Sequence, residues 1–223
     1  MMVDVAENLD RVRKTLAKVC PDPQSIQVLA VTKFQPFERV EAAIKAGIKL
    51  LGVNYVQAGS ELRKHFSNYP LEWHFIGHIQ SRKAKLIADY DCIESLDRIE
   101  VASLLNDQLK EKQKTLSVLV EVNIGAEPNK SGVFPERLGS FLTDLRRFER
   151  IEIKGLMCLP PPHFPTEKRR PYFKEMSRLY HKFQSEFPFQ TLSMGTSDDF
   201  SIAVEEGANL IRLGVVLFGQ RTD

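Results

Sequence analysis

A (β/α)8 barrel with one extra N-terminal helix is the fold class the sequence predicts. Three observations predict it: eight short apolar segments, amphipathic stretches of helical period between them, and no long linker or low-complexity run in 223 residues. Repeated βα units imply a parallel sheet, and eight of them can close into a barrel. An open, doubly wound sheet satisfies the same periodicity and is the alternative. A single domain over residues 1–223 accommodates either, since α/β barrels routinely exceed ~150 residues as one unit.

The extra helix comes first. Val5, Leu9, Val12, Leu16 and Val19 recur at helical spacing within Val3 to Val19, and Pro21 and Pro23 end it. The run from Val28 to Lys33 is the first strand. Gln35-Pro36 then opens a helix through Val40, Ala43, Ile44 and Ala46, which Gly47 stops. Leu50 to Asn54 and Glu72 to Ile76 are the second and third strands, with a helix from Tyr55 to Phe66 between them. A helix at Gln80 to Ala88 leads to a strand at Cys92 to Ser95, and one at Asp97 to Lys112 leads to Leu116 to Asn123. Pro135 to Arg147 is helical, Ile151 to Met157 is a strand, and Pro160-Pro161-Pro162 makes a stiff loop. A long helix from Glu167 to Phe187 presents Phe173, Met176, Leu179, Tyr180 and Phe183 on one face. Thr191 to Met194, a helix at Asp198 to Glu205, and Leu210 to Leu213 complete the series.

Apolar residues at 43% and charged residues at 27% fit a globular core. A net charge of +2 gives no electrostatic reason to expect nucleic acid or an anionic membrane as partner. Lys168-Arg169-Arg170 is the only compact basic run and reads as a solvated loop or helix start. Charges at Asp4, Glu7, Asp10 and Arg11 interrupt Met1 to Leu16, so it lacks the apolar core of a secretory signal, and no later run reaches transmembrane length. Cys20, Cys92 and Cys158 are odd in number and widely spaced, which argues against a zinc site or a disulfide framework. A reducing cytoplasm is the simplest compartment.

The chemistry starts at Lys33, which closes the first strand. Desolvation at a pocket mouth lowers a lysine's pKa and leaves a neutral amine that attacks a carbonyl. The bland alternative is a lysine stepping into solvent where strand becomes loop. At the other end of the chain, Ser193-Met194-Gly195-Thr196-Ser197-Asp198-Asp199 and Arg212-Leu213-Gly214-Val215 follow strands seven and eight, where barrels often hold phosphate. Ser197, Asp198 and Asp199 serve equally well as helix N-caps, and Gly214 as a turn. Strands one and eight are neighbours in a closed barrel, so the lysine and the cradle support each other. Arg212, inside an apolar strand, needs a partner because it cannot shed its charge. Glu121 on another strand is one candidate; an acceptor on a cofactor ring is the other.

These residues and their surroundings carry a family resemblance. Val31-Thr32-Lys33, Gly52-Val53-Asn54-Tyr55-Val56-Gln57, Trp73-His74-Phe75-Ile76-Gly77-His78-Ile79-Gln80-Ser81 and Lys130-Ser131-Gly132 resemble successive blocks of the pyridoxal-phosphate homeostasis proteins. Gly155-Leu156-Met157, Leu192-Ser193-Met194-Gly195 with Ser197-Asp198-Asp199, and Arg212-Leu213-Gly214 continue the match in order, from about Val28 to Arg221. This family is similar to the barrel domain of alanine racemase, a fold-type III pyridoxal-phosphate protein, standing alone. The resemblance implies that Lys33 holds pyridoxal 5'-phosphate as a lysine aldimine and that Arg212 faces the pyridine nitrogen. It implies Ser197 as a phosphate ligand with the Gly214 and Val215 amides, and Asn54, His74 and Met157 as pocket walls. Val53, Thr196 and Arg82 depart from the family's usual Glu, Met and Asn.

The function implied is reversible holding of the cofactor, influencing vitamin B6 and amino-acid balance, without catalysis. Arginine stays charged, keeps the ring nitrogen unprotonated and weakens the ring as an electron sink. Two-sided racemisation also needs a second base, which alanine racemase takes from a further domain that a chain stopping at Asp223 is expected to lack. Tyr55, Tyr172 and Tyr180 are nominees for that base, but each reads equally as a packing aromatic. A monomeric pyridoxal-phosphate-dependent amino-acid racemase is the alternative function, and a Schiff-base aldolase the third. The expected partners are the cofactor and apo-enzymes that accept it, with no nucleic acid, no membrane, no metal and a monomeric state.

Overall fold

A computed structural model describes residues 3–162 and 165–220. Met1, where the N-terminal stretch begins, and Arg221, where the resemblance ends, lie outside them. Eight strands form one closed barrel in sequence order: β1 (Gln27–Val31), β2 (Leu50–Val53), β3 (Glu72–Phe75), β4 (Cys92–Leu96), β5 (Leu116–Val122), β6 (Ile151–Cys158), β7 (Thr191–Ser193) and β8 (Leu210–Leu213). All neighbours pair in parallel, and β8 closes on β1 with Leu29 opposite Arg212. The open-sheet alternative is thereby excluded.

The strands alternate as their sequence demands. Leu29, Leu50 and Leu210 form one inner cluster, and Cys92, Leu119 and Met157 another. The opposite faces, with Ala30, Leu51, Val53, Phe75 and Ile211, join the larger core against the helices. At Gly155, with φ +156°, a Cβ would sit 1.8 Å from the Thr191 carbonyl oxygen, so no other residue lets β6 approach β7 this closely.

The helical layer comprises α1 (Val5–Val19), α2 (Phe37–Lys45), α3 (Val56–His65), α4 (Ala84–Ile87), α5 (Ile99–Glu111), α6 (Leu138–Leu145), α7 (Arg170–Gln184), α8 (Phe200–Glu205) and α9 (Val215–Phe218). The extra helix α1 is capped by Asp4, whose carboxylate accepts the Glu7 N–H at 2.9 Å. It buries Val5, Leu9, Val12 and Leu16 and packs against α2, α8 and α9.

Several boundaries differ from expectation. The Gln80 to Ala88 helix is a 3-10 turn (Ser81–Lys83) followed by the single α-turn of α4. The helices expected from Pro135 and Glu167 also open as 3-10 turns, at Pro135–Arg137 and Thr166–Arg169. The sequence reading had no counterpart for α9. The basic run is a helix start and not a solvated loop: Arg169 is buried, donating to Asp199 Oδ2 at 2.8 Å and to the Pro162 carbonyl at 2.9 Å. Arg170 pairs with Glu167, Glu205 and Glu206. These charges pin the start of α7 to α8. Among the described residues no helix is long and apolar enough to cross a membrane, and no cluster of His, Cys, Asp or Glu is arranged to hold a metal.

Candidate functional site

The C-terminal ends of the strands open into a cavity of about 530 Å³, with Asn54, Ile76, Glu121, Asn123, Leu159 and Thr196 in its wall. A side cavity of about 390 Å³ lies between the turns that follow β1 and β2 and holds Lys33, Gln35 and Tyr55. Asn54 belongs to both walls, and its Oδ1 is buried with no hydrogen-bond partner among the described residues. At Gly77 a Cβ would lie 2.1 Å from the Asn54 carbonyl oxygen, so the close approach of the β2 and β3 ends requires glycine.

β1 ends at Val31, two residues before Lys33. Thr32 is buried, and its N–H and Oγ1 both donate to the Gly52 carbonyl, at 2.9 and 3.1 Å. The chain then turns through Phe34, whose φ is 61°. This turn leaves Lys33 half-buried, with Nζ 5.0 Å from the Phe34 ring centroid and 5.2 Å from that of Tyr55. Both are cation–π distances.

Across the seam, Ser197 Oγ accepts the Gly214 and Val216 N–H groups, each at 3.2 Å. Among the described residues nothing accepts its own hydroxyl proton. The sequence reading paired Ser197 with the Gly214 and Val215 amides; here the second amide on the hydroxyl is that of Val216, and Val215 is exposed. The turn before Ser197 is held by Asp199 Oδ1, which accepts Thr196 N–H at 2.6 Å and Thr196 Oγ1 at 3.0 Å.

Arg212 is 4% exposed and points into the barrel. Glu121 does not pair with it. Its guanidinium instead donates to Ser193 Oγ at 2.6 Å and to the Cys158 carbonyl at 2.8 Å, with Glu94 Oε2 at 3.9 Å. Ser193 donates to Glu94 Oε2 at 2.6 Å, and the other Glu94 oxygen accepts from His74 Nδ1 at 2.6 Å. His74 Nε2 reaches Glu72 Oε1 at 3.0 Å, where the chain of contacts meets solvent. Burial alone would discharge His74, but its bonds to Glu72 and Glu94 outweigh that and raise its pKa to about 9. Burial likewise pushes the Glu94 carboxyl up, yet the His74 bond, the charges of His74 and Arg212, and Ser193 together hold it below the usual range.

His74 and Met157 therefore do not line the mouth. His74 is held in this interior network, and Met157 packs with Cys92 and Leu119. Inward-facing residues recur every second position along a strand, and the mouth residues two places further on are Ile76 and Leu159, each one position past the end of β3 and β6. Of the departures, Val53 is buried in the outer core, Thr196 serves the Asp199 turn, and Arg82 is exposed beside Gln80.

A closed parallel barrel with a strand-end lysine beside a hydroxyl-and-amide cradle defines the class of the alanine racemase barrel. The sequence profile described as the alanine racemase N-terminal domain matches residues 4–222. The pyridoxal phosphate homeostasis protein of Vibrio alginolyticus is 35% identical over 230 residues, 99% of each chain. That of Escherichia coli strain K12 is 34% identical over 229 residues, 99% of this chain and 98% of its own. The chain belongs to the pyridoxal phosphate homeostasis protein family. The structure of PipY from Synechococcus elongatus PCC7942 superposes with a TM-score of 0.87 without PLP and 0.86 with PLP bound, at 31% and 30% identity. Both comparisons cover 96% of this chain and all of PipY. An alanine racemase from Clostridium difficile 630 shares the fold, with a TM-score of 0.74 at 17% identity, and this chain spans 57% of it.

Proposed function

We propose that the protein binds pyridoxal phosphate reversibly, with Lys33 as its covalent anchor, and serves as a holder and carrier of that cofactor in vitamin B6 and amino-acid balance. The observation that carries this reading is the Ser197 hydroxyl, organised by the Gly214 and Val216 amides next to the strand that leads to Lys33. The residues present fit the group. Ser197, Gly214 and Val216 would hold its phosphate, with Val215 at the rim, and Asn54 offers a buried oxygen that has no donor among the described residues. Arg212 is fixed at two nitrogens and would present a permanent positive charge to the ring of the bound group. The bound group supplies an aldehyde that condenses with amines and a ring that withdraws electrons; the arginine charge favours the first property over the second. His74 acts from below by keeping Glu94, and so Ser193 and Arg212, in place. Met157 fills the interior beneath the site.

Within the same proposal the chain is one domain over residues 1–223, acts as a monomer in the cytoplasm, and delivers the cofactor to apo-enzymes. Three free cysteines, two of them buried with thiol pKa values raised by burial, fit a reducing compartment. The test is an absorption spectrum of protein incubated with pyridoxal phosphate, before and after borohydride, with the labelled peptide mapped. A visible band that reduction bleaches and mapping assigns to Lys33 is expected. Lys33→Ala should lose the label while keeping some phosphate-anchored binding. Unchanged labelling of that variant would refute the anchor.

A further inference from the structure

Lys33 lines the side cavity between the turns that follow β1 and β2, and Asn54 forms the wall this cavity shares with the mouth. The Lys33 ammonium rests there against Phe34 and Tyr55, whose ring centroids lie 5.9 Å apart. Both rings are open to solvent, Phe34 at 66% exposure and Tyr55 at 47%. Phe34 reaches its place through left-handed backbone at φ 61°, a cost for an aromatic residue that its exposed ring does not recover by burial. Packing therefore does not account for the pair; an ammonium held between two π faces does.

The rest of the wall also suits a cation. Glu38 in the first turn of α2 and Glu61 on α3 are exposed, and neither has an ion pair or hydrogen bond among the described residues. Gln35 Oε1 and Asn54 Oδ1 are buried in the same wall with no donor among the described residues. The arginines next along these helices are engaged elsewhere: Arg39 donates to the Phe218 carbonyl at 3.2 Å and Arg63 to the Asp89 carbonyl at 2.8 Å. Lys33 is the only cation among the described residues of this wall, against two carboxylates. When its nitrogen serves as the anchor, the wall loses that cation and keeps both acids.

We propose that the side cavity is a binding site for a small primary amine, whose ammonium takes the seat on Phe34 and Tyr55 that free Lys33 holds. A primary ammonium brings three N–H donors to the carboxylates and orphan oxygens, is attracted to both rings, and has no acceptor to leave unsatisfied. A short unbranched stem matches the Lys33 side chain it replaces. An amino acid would set its own carboxylate beside Glu38 and Glu61, so the site favours amines without one. The consequence rests on the cofactor reading above: an amine seated here stands beside the anchor, where one that accepts the cofactor has to arrive.

The first experiment titrates cofactor-free protein with butylamine at pH 7, where the amine is an ammonium, and follows the Phe34 ring protons by NMR. Lys33→Ala vacates the seat and should bind saturably, about tenfold more tightly than the parent, in which Lys33 competes. Adding Tyr55→Leu, or Glu38→Gln with Glu61→Gln, to Lys33→Ala should weaken binding about fivefold; adding Tyr55→Phe, which keeps the ring, should not. The second experiment loads the parent with pyridoxal phosphate and follows its release by butylamine. The rate should reach a plateau, half-reached at a concentration that Glu38→Gln with Glu61→Gln raises about fivefold while the plateau itself changes less than about twofold. 4-Aminobutyrate, the same chain ending in a carboxylate, should half-saturate only at higher concentration. Absence of saturable binding to Lys33→Ala, binding indifferent to the added substitutions, or equal half-saturation by the two amines would overturn the proposal. A parent that takes up no cofactor, beside a Lys33→Ala variant that binds butylammonium, overturns the cofactor reading and upholds the amine site. A loaded parent beside a Lys33→Ala variant that binds none overturns the amine site alone.

Discussion

In the interior layer, His74, Glu94, Ser193 and Arg212 each have bonded partners, whereas a layer above, Asn54 Oδ1 and the half-buried Glu121 carboxylate face the mouth with none among the described residues. The two layers draw polar residues from different strands: β3, β4, β7 and β8 supply the lower one, and β5 and the end of β2 the upper one. In the lower one, opposite charges alternate along a hydrogen-bonded chain, which is how a barrel core tolerates charge at all. In the upper one, the same backbone spacing delivers polar groups with nothing to bind. A buried polar group without a partner destabilises the fold, so the persistence of Asn54 Oδ1 at the cavity wall marks where a ligand is to be held. The lower layer is scaffold for Arg212, and the upper layer is the site.

The sharpest way to break this contrast is Glu94→Gln. The amide cannot neutralise both His74 and Arg212, which then share the barrel interior as like charges. Breaking a buried pair from one side costs about 3–5 kcal/mol, and urea unfolding of cofactor-free protein should show a loss of that order. A loss under about 1 kcal/mol would mean that Glu94 is not the link between the two cations.

Glu94 also shows where sequence reasoning stops. The barrel was legible because each βα unit carries its own period, and Lys33 and Ser197 were legible because strand-end position and family motif coincide. Cys92-Ile93-Glu94-Ser95 reads only as a strand with an acid in it. That the acid meets His74 and Arg212 depends on inter-strand register, His74 opposite Cys92 and Ser193 opposite Leu210, which no local pattern encodes. Register likewise decides against Glu121 as the candidate partner of Arg212 and sets the deeper placement of His74 and Met157. The four residues of α9 are too few to show a helical period, so Val216 and its amide went unread.

The pH dependence of stability separates the layers without changing the ligand. The folded pKa of His74, about 9, lies above its unfolded value of 6.5. The stability this contributes is therefore complete below pH 6.5 and is lost as pH rises through 9, a difference of roughly 3 kcal/mol. The folded pKa of Glu121, about 7, lies above 4.5. Stability from that group is likewise present below pH 4.5 and lost as pH rises through 7. Denaturant midpoints should therefore fall in two limbs. Glu121→Gln should abolish the lower limb and leave the upper one; a single limb that survives the substitution would show that the mouth carboxyl is solvated like any other.

The smallest effect, and the one confined to the mouth, is at Ser197. Ser197→Ala removes the oxygen on which the Gly214 and Val216 amides converge, along with the hydroxyl proton they leave free. Both amides remain in place to meet a phosphate directly, so the variant should weaken pyridoxal phosphate retention by about 1–3 kcal/mol, the range for one buried hydrogen-bonding group, without abolishing it. Because none of the Arg212 contacts involves Ser197, the two pH limbs of the cofactor-free protein should be unchanged. Dialysis rates would read the first effect and denaturation the second. A variant that lost stability as Glu94→Gln does would tie the cradle to the scaffold, and the distinction between paired interior and unpaired mouth would fail at the phosphate end.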